Sequence, residues 1–197
     1  LDAPQWRETT AHDLTLAPPL DALPRKTTLR VLYDSTNLYV RAECELAPEG
    51  PAEFPALGRD RPLANQESVD VYLAPRPGTE VCYRFMVGAG AESKYDAARG
   101  LVADAMDPRY GKDDPAWSGD WRAETRVDPD AHRWLVLIAI PFKTLAAEPP
   151  SAGAAWRGNF ARYHHLPRGK VDRAIWSSTI TSTSMDDQGL FGEIVFE

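Results

Sequence analysis

The chain has 197 residues, 43% of them hydrophobic, with 17 prolines and a formal net charge of −7. The hydrophobic share is enough for a packed core, whereas the acidic balance argues against a binder of nucleic-acid phosphates and against docking on anionic lipid. No run approaches the roughly 18 apolar residues of a helical membrane span, so no membrane insertion is expected.

The chain opens on Leu1 without a methionine and reads as a mature or excised segment of a longer precursor. Its dominant signal is period-two alternation, the mark of half-buried strands. Residues 28–33 put Leu29, Val31 and Tyr33 on one face. After the turn Asp34-Ser35-Thr36-Asn37, residues 38–46 put Leu38, Val40, Ala42, Cys44 and Leu46 on one face, and Tyr39, Arg41, Glu43 and Glu45 on the other. The two runs read as a hairpin. A Pro-rich loop, 47–65, leads to residues 68–73, with Val69, Val71 and Leu73 inward. Residues 81–87 follow a Pro75–Thr79 turn, with Val81, Tyr83, Phe85 and Val87 inward. A second long loop, 88–119, carries Asp96, Asp104, Asp107, Asp113 and Asp114. Loops of this length in a compact domain usually serve function. Residues 121–127 and 134–140 form a third hairpin about Asp128-Pro129-Asp130-Ala131, and later strands are expected at 159–164 and 190–196. Helical periodicity is confined to a short stretch, 141–147, with Pro141 at its first position. Paired strands joined by Pro- and Asp-rich turns predict one all-β domain over 1–197, an antiparallel β-sandwich with one or two short helices and long loops.

Several chemistries find little support. Cys44 and Cys82 make no zinc pattern; they are either two buried thiols or one disulfide. His164 and His165 are adjacent and diverge on a strand, and neither His12 nor His132 completes a metal spacing with them. Glu67 and Asp70 lie three apart and face opposite ways, which does not suit a glycosidase pair. Ser177, Ser178, Ser182 and Ser184 have no assignable base, and no nucleophile-elbow motif occurs. No catalytic residue is assigned.

Four pieces, LRVLYDSTNLYVRAEC (29–44), ESVDVYLAP (67–75), WLVLIAIPFKTL (134–145) and WRGNFAR with IWS (156–177), together with a closing LFGEIVFE (190–197), resemble the carbohydrate-binding module family 9-like domains of the DOMON-like sandwich group. The resemblance implies a jelly-roll-like β-sandwich. It implies saccharide or polysaccharide binding beside a catalytic domain of the same secreted or surface glycoside hydrolase, and it admits a structural calcium. It places Glu67 at the acidic position of the sugar site, Arg84 at an arginine and Asn159 at an asparagine. It also brings departures: Arg162 stands where the second sugar-clamping tryptophan is expected, and no tryptophan occurs between Trp6 and Trp117 for the first.

Sugar recognition needs an aromatic face for the C–H side of a pyranose and planar polar groups for its hydroxyls. The expected ligand contacts are therefore Glu67, Arg84, Asn159 and Arg162, with a ring from Trp117, Trp176 or Tyr95. Alternation places Asn159 and Arg162 on opposite faces unless the strand is bulged. Arg162 alternatively forms an inter-strand charge pair, Asn159 alternatively holds backbone, and Trp176 serves equally as platform or core. Trp121 starts a strand with its ring either free or in the core, while Trp134 and Trp6 read as structural. Two other functions compete with sugar binding. One is an interaction domain that packs against a partner catalytic domain. The other is a haem-binding redox domain, for which Met86, Met106 and Met185 are the axial candidates.

Overall fold

A computed structural model describes residues 2–16, 25–47, 54, 56–61, 63, 66–76, 78–90, 92–165, 171–177 and 187–197. Ser178, Ser182, Ser184 and Met185 lie outside these residues. The strands are β1 (His12–Asp13), β2 (Thr15–Leu16), β3 (Thr27–Tyr33), β4 (Asn37–Glu45), β5 (Ser68–Ala74), β6 (Cys82–Gly88), β7 (Lys94–Arg99), β8 (Arg122–Asp128), β9 (Arg133–Pro141), β10 (Ala155–His165), β11 (Val171–Ile175) and β12 (Gly192–Val195). They form two antiparallel sheets. The first runs β1-β3-β4-β9-β8 and the second β2-β11-β10-β5-β6-β7, with β12 also paired to β10. The expected sandwich is thus present.

Two expectations change in detail. The stretch 141–147 is a 3₁₀ turn, Phe142–Leu145, with Pro141 as its N-cap. Ala146 stops it in the left-handed region, at φ 48°. The loop 88–119 contains β7, and β11 and the two short N-terminal strands also escaped the alternation pattern.

The alternation of β4 explains its position. Leu38, Val40, Ala42 and Cys44 are fully buried, while the residues between them are half-buried. In register beside them, β9 adds Trp134, Val136, Ile138 and Ile140 to the same core. The second sheet closes the core from the other side with Val69, Val71 and Leu73 of β5, Tyr83, Phe85 and Val87 of β6, and Phe160 of β10. Edge-to-face ring pairs knit the ends, among them Trp156–Phe196 at 5.0 Å and Phe85–Trp121 at 5.3 Å; each contributes about 1 kcal/mol beyond its burial. Trp121 and Trp134 are therefore core rings.

β12 shows how tight this packing is. A Cβ at Gly192 would overlap the six-membered ring of Trp176. Gly192→Ala is expected to cost about 1–3 kcal/mol by overpacking, read as a lower urea midpoint at unchanged slope.

The second sheet differs from the first in having both faces covered. Every residue of β5 is buried, including Ser68, Asp70 and Tyr72 on the face away from the core. Leu57 and Leu63 cover that outer face at one end, packed with Met86, Tyr95 and Ala97. Phe191 covers it at the other, packed with Tyr72, Cys82, Ala161 and Ile175. The Asp-rich loop joins it through a bridge between Asp114 and Ala98. Polar groups on this face are thereby held in a partly desolvated setting.

Candidate functional site

Strand parity divides the expected ligand residues between two places. Arg162 and His164 share parity with Phe160 and point between the sheets. Glu67, one residue before β5, has the parity of Val69 and points the same way. There Arg162 donates from Nε to Glu67 Oε1 at 2.8 Å and also bonds it through Nη2. The guanidinium then reaches the opposite sheet, to Thr27 Oγ1 at 3.0 Å and to the Glu45 carbonyl at 2.7 Å. His164 Nδ1–H donates to Glu67 Oε2 at 2.7 Å. The Glu67 and Arg162 side chains are 3% and 1% exposed, so neither is offered to a ligand. The expected grouping of Glu67, Arg84, Asn159 and Arg162 in one platform is therefore corrected: Glu67 and Arg162 form a strut across the sandwich.

Burial acts to raise the Glu67 carboxyl, but the His164 hydrogen bond and the Arg162 charge outweigh it and hold it below its ordinary value of 4.5. Its ionisation then contributes stability that is fully present above the unfolded value and is lost as pH falls through the lower folded value. Urea midpoints are expected to fall as pH drops below 4.5, and to fall less steeply in Glu67→Gln, whose side chain does not titrate.

Arg84 lies on the outer face of the second sheet. Its Nε sits 3.2 Å from both Asp70 oxygens and its Nη2 2.7 Å from Oδ2, a fork on a carboxylate that is 0% exposed. Tyr72, level with Arg84 across the β5–β6 ladder, donates its hydroxyl to Asp70 Oδ2 at 2.9 Å. The guanidinium stands over the Tyr72 ring at 5.1 Å and the Tyr95 ring at 5.8 Å. Asp113, from the Asp-rich loop, sits 3.7 Å from Arg84 Nη1, beyond hydrogen-bond reach, and accepts from Arg99 Nε at 2.9 Å. Tyr163 of β10 completes the group, packed against the clusters that hold Tyr72 and Tyr95. Complete burial raises the Asp70 carboxyl against the pull of Arg84 and Tyr72. Burial acts to lower Arg84 too, but the Asp70 carboxylate overrides it and holds the guanidinium more firmly protonated than usual. The result is an arginine fixed in direction, 18% exposed, whose Nη1 faces the Asp113 carboxylate without a hydrogen bond to it.

Of the seven expected residues, the structure brings Arg84 and Tyr95 together on this face. Asn159 shares the face and stands level with Tyr72, but its amide is spent on the Ser177 backbone: Nδ2 donates to the carbonyl at 2.9 Å and Oδ1 accepts from the amide at 3.0 Å. Trp117 packs on Tyr83 at 5.1 Å and Phe85 at 6.0 Å, against the core. Trp176 packs on Phe160 at 5.4 Å, beside the opposite open side of the sandwich. Asp70, Tyr72, Tyr163 and Asp113 were missed as site residues. Parity could have found the first two, since Asp70 and Tyr72 alternate with Val69 and Val71 as Arg84 does with Tyr83 and Phe85.

The remaining chemistries also find their places. Cys44 and Cys82 are both reduced thiols, buried in separate clusters, and burial pushes the Cys44 thiol up to about 11. Among the described residues no group of three or more acids, histidines or cysteines is arranged to hold a metal. The acids of the long loop turn instead to arginines, Asp107 and Asp114 to Arg109 and Asp113 to Arg99. The donor set therefore does not fit a calcium ion there. Met86 is buried among Leu63, Tyr95 and Ala97. Among the described residues no helix is long and apolar enough to cross a membrane.

No family model matches the chain, and no curated protein matches it. Solved structures do. The fold is similar to a carbohydrate binding module family 9 from Caldicellulosiruptor kristjanssonii in complex with glucose, at a TM-score of 0.70 and 14% identity over 100% of this chain and 88% of that one. The same organism's module in complex with cellotriose gives a TM-score of 0.67 at 14% identity, covering 98% of this chain and 85% of that one. A protein from Bacteroides uniformis ATCC 8492, whose given name proposes carbohydrate binding, gives 0.72 at 15% identity over 97% of this chain and 88% of that one. The all-β sandwich architecture is thus shared with these modules across nearly the whole chain.

Proposed function

We propose that this chain is a non-catalytic saccharide-binding module whose ligand sits on the outer face of the second sheet, above Arg84. The observation that carries this is the arginine itself: Asp70 fixes its fork from behind, tyrosine rings lie beneath it, and Nη1 has no hydrogen-bond partner among the described residues. A preset planar donor suits a pyranose, whose hydroxyls pair with the guanidinium; Tyr72 and Tyr95 are buried, so the half-buried Tyr163 is the ring of this group with area left for the sugar's C–H face. The charges pair off within the site, Arg84 with Asp70 and Arg99 with Asp113, which favours a neutral sugar over a charged one. The same pairing argues against catalysis, because both carboxylates are engaged by arginines rather than opposed across a substrate. The folds it resembles carry glucose and cellotriose. The chain is read as one module over its whole length, acting outside the cytoplasm and holding a saccharide near a catalytic domain of the same precursor.

Titration with glucose, cellotriose and a panel of neutral oligosaccharides tests this, followed by amide shifts in a labelled sample. Saturable binding with shifts at Arg84, Tyr95, Asp113 and Tyr163 is the expected result. Absence of binding to every glycan, or shifts confined to another face, overturns the reading.

A further inference from the structure

The two carboxylates beside Arg84 are used differently. Asp70 is buried, and both its oxygens are bonded, by Arg84 and by Tyr72. Asp113 is bonded on one side only: Oδ1 takes the Arg99 guanidinium, at 2.9 Å from both Nε and Nη2. Its other oxygen, Oδ2, stands 3.7 Å from Arg84 Nη1, and neither atom has a hydrogen-bond partner among the described residues. Both side chains are partly exposed. The loop that carries Asp113 is pinned. Asp114 bridges to Ala98 of β7, its amide 2.8 Å from the Ala98 carbonyl. Arg109 bonds Asp107 through Nε at 3.0 Å and Nη2 at 2.8 Å, and Asp114 through Nη1 at 3.3 Å. The gap between Oδ2 and Nη1 is thus held from both sides, by Asp70 behind the arginine and Arg99 beside the aspartate.

We infer that Asp113 sets the specificity of the saccharide site by sharing one free sugar hydroxyl with Arg84, the hydroxyl oxygen accepting from Nη1 while its proton is donated to Oδ2. The inference rests on the saccharide reading and names the chemical group that the site selects. Three points carry it. First, a separation of 3.7 Å is too long for a direct hydrogen bond, yet one oxygen fits between the two atoms at about 2.8 Å from each. Second, neither charge needs the other as its partner, since Arg84 has Asp70 and Asp113 has Arg99. Third, a donor facing an acceptor suits a group that both accepts and donates, which a hydroxyl does. An ether oxygen has no proton for Oδ2. A carboxylate or sulfate at this point meets the Asp113 charge, and an ammonium meets Arg84, so either charged substituent is disfavoured. The pair therefore reads a free, uncharged hydroxyl, and it does so with ionised groups, whose hydrogen bonds are the stronger kind.

Calorimetric titration of the whole chain with glucose, galactose, mannose and xylose tests this, followed by the monodeoxy analogues of each sugar that binds. One deoxy position is expected to weaken binding to the unaltered protein about tenfold or more, the usual worth of a hydrogen bond to a charged group. Asp113→Ala is expected to weaken the parent sugar by a similar factor and to lose most of the penalty at that one position, because both changes remove the same contact. Asp113→Asn keeps the shape of the side chain and an oxygen for Arg99 but has no second acceptor for the hydroxyl proton. It is expected to weaken the parent sugar too, so a loosened loop in the alanine variant does not decide the outcome. A merely structural Asp113 would weaken every analogue by one common factor and leave the deoxy penalty in place. That result, or unchanged affinity in either folded variant, overturns the inference while the saccharide reading at Arg84 stands. If none of the four sugars binds, the inference falls, and the oligosaccharide titration above decides the saccharide reading separately.

Discussion

Arg162→Ala is expected to lower the unfolding free energy by about 3–5 kcal/mol, the usual cost of stripping one partner from a buried ion pair. The side chain is 1% exposed and ties Glu67 on one sheet to Thr27 and the Glu45 carbonyl on the other. Its removal leaves the Glu67 charge in the interior without its guanidinium, still bonded to His164, together with a cavity of side-chain size. Urea unfolding followed by circular dichroism measures the loss. The double variant Arg162→Met with Glu67→Leu separates charge from packing: removing both ions together should recover most of the loss, since well-packed apolar replacements of buried pairs are often neutral. Saccharide affinity of the folded protein should not change in either variant. A loss of stability below about 1 kcal/mol would show that the strut carries nothing.

The second large effect is at Arg84, where Arg84→Ala should abolish measurable saccharide binding. A position on the polar side of a strand would by itself imply little cost to the fold, but the buried ion pair changes that. Asp70 is 0% exposed and Arg84 is its counter-charge, so the alanine variant should also lose about 3 kcal/mol. Arg84→Gln combined with Asp70→Asn resolves the two effects. Two neutral amides can hydrogen-bond to each other and to Tyr72, so most stability should return, while binding should not. Calorimetric titration with a glycan already shown to bind the unaltered protein, run beside thermal melts, gives both readings. Retained affinity in the double variant would remove Arg84 from the site.

Much of the sandwich was legible because its central strands alternate, with apolar residues turned to the core. In β4 and β9 the alternation is nearly complete, and the turns between strands are rich in Asp, Pro and Asn. The strands that escaped notice lack that contrast. β7, KYDAAR, buries four of its six residues on both faces, so no polar rhythm marks it. β11 is five residues long and carries Asp172 and Arg173 in its middle. The site was legible in part for the same reason. Alternation places Arg84 opposite the inward Tyr83 and Phe85, where the structure has it. Applied one strand earlier, it would have turned Glu67 inward with Val69 and Asp70 outward with Tyr72. Residue type favoured Glu67; parity favoured Asp70. The tryptophans in loops had no parity to read, and ring burial there depends on contacts such as Trp117 with Tyr83 that only the fold supplies.

The way the two sheets are stitched has a kinetic corollary. The pairs β3–β4, β5–β6–β7 and β8–β9 are local and can form early. The first sheet is joined, however, by one pairing between distant segments, β4 with β9, and the second by two, β5 with β10 and β2 with β11; the first two bridge about a hundred residues or somewhat fewer and the last bridges more. Neither sheet can be completed until the last third of the chain has emerged from the ribosome, and the loop-closure entropy of those meetings sets the pace. Folding should therefore proceed on the millisecond-to-second scale of non-local β-proteins, with preformed hairpins waiting for β9 and β10 to arrive.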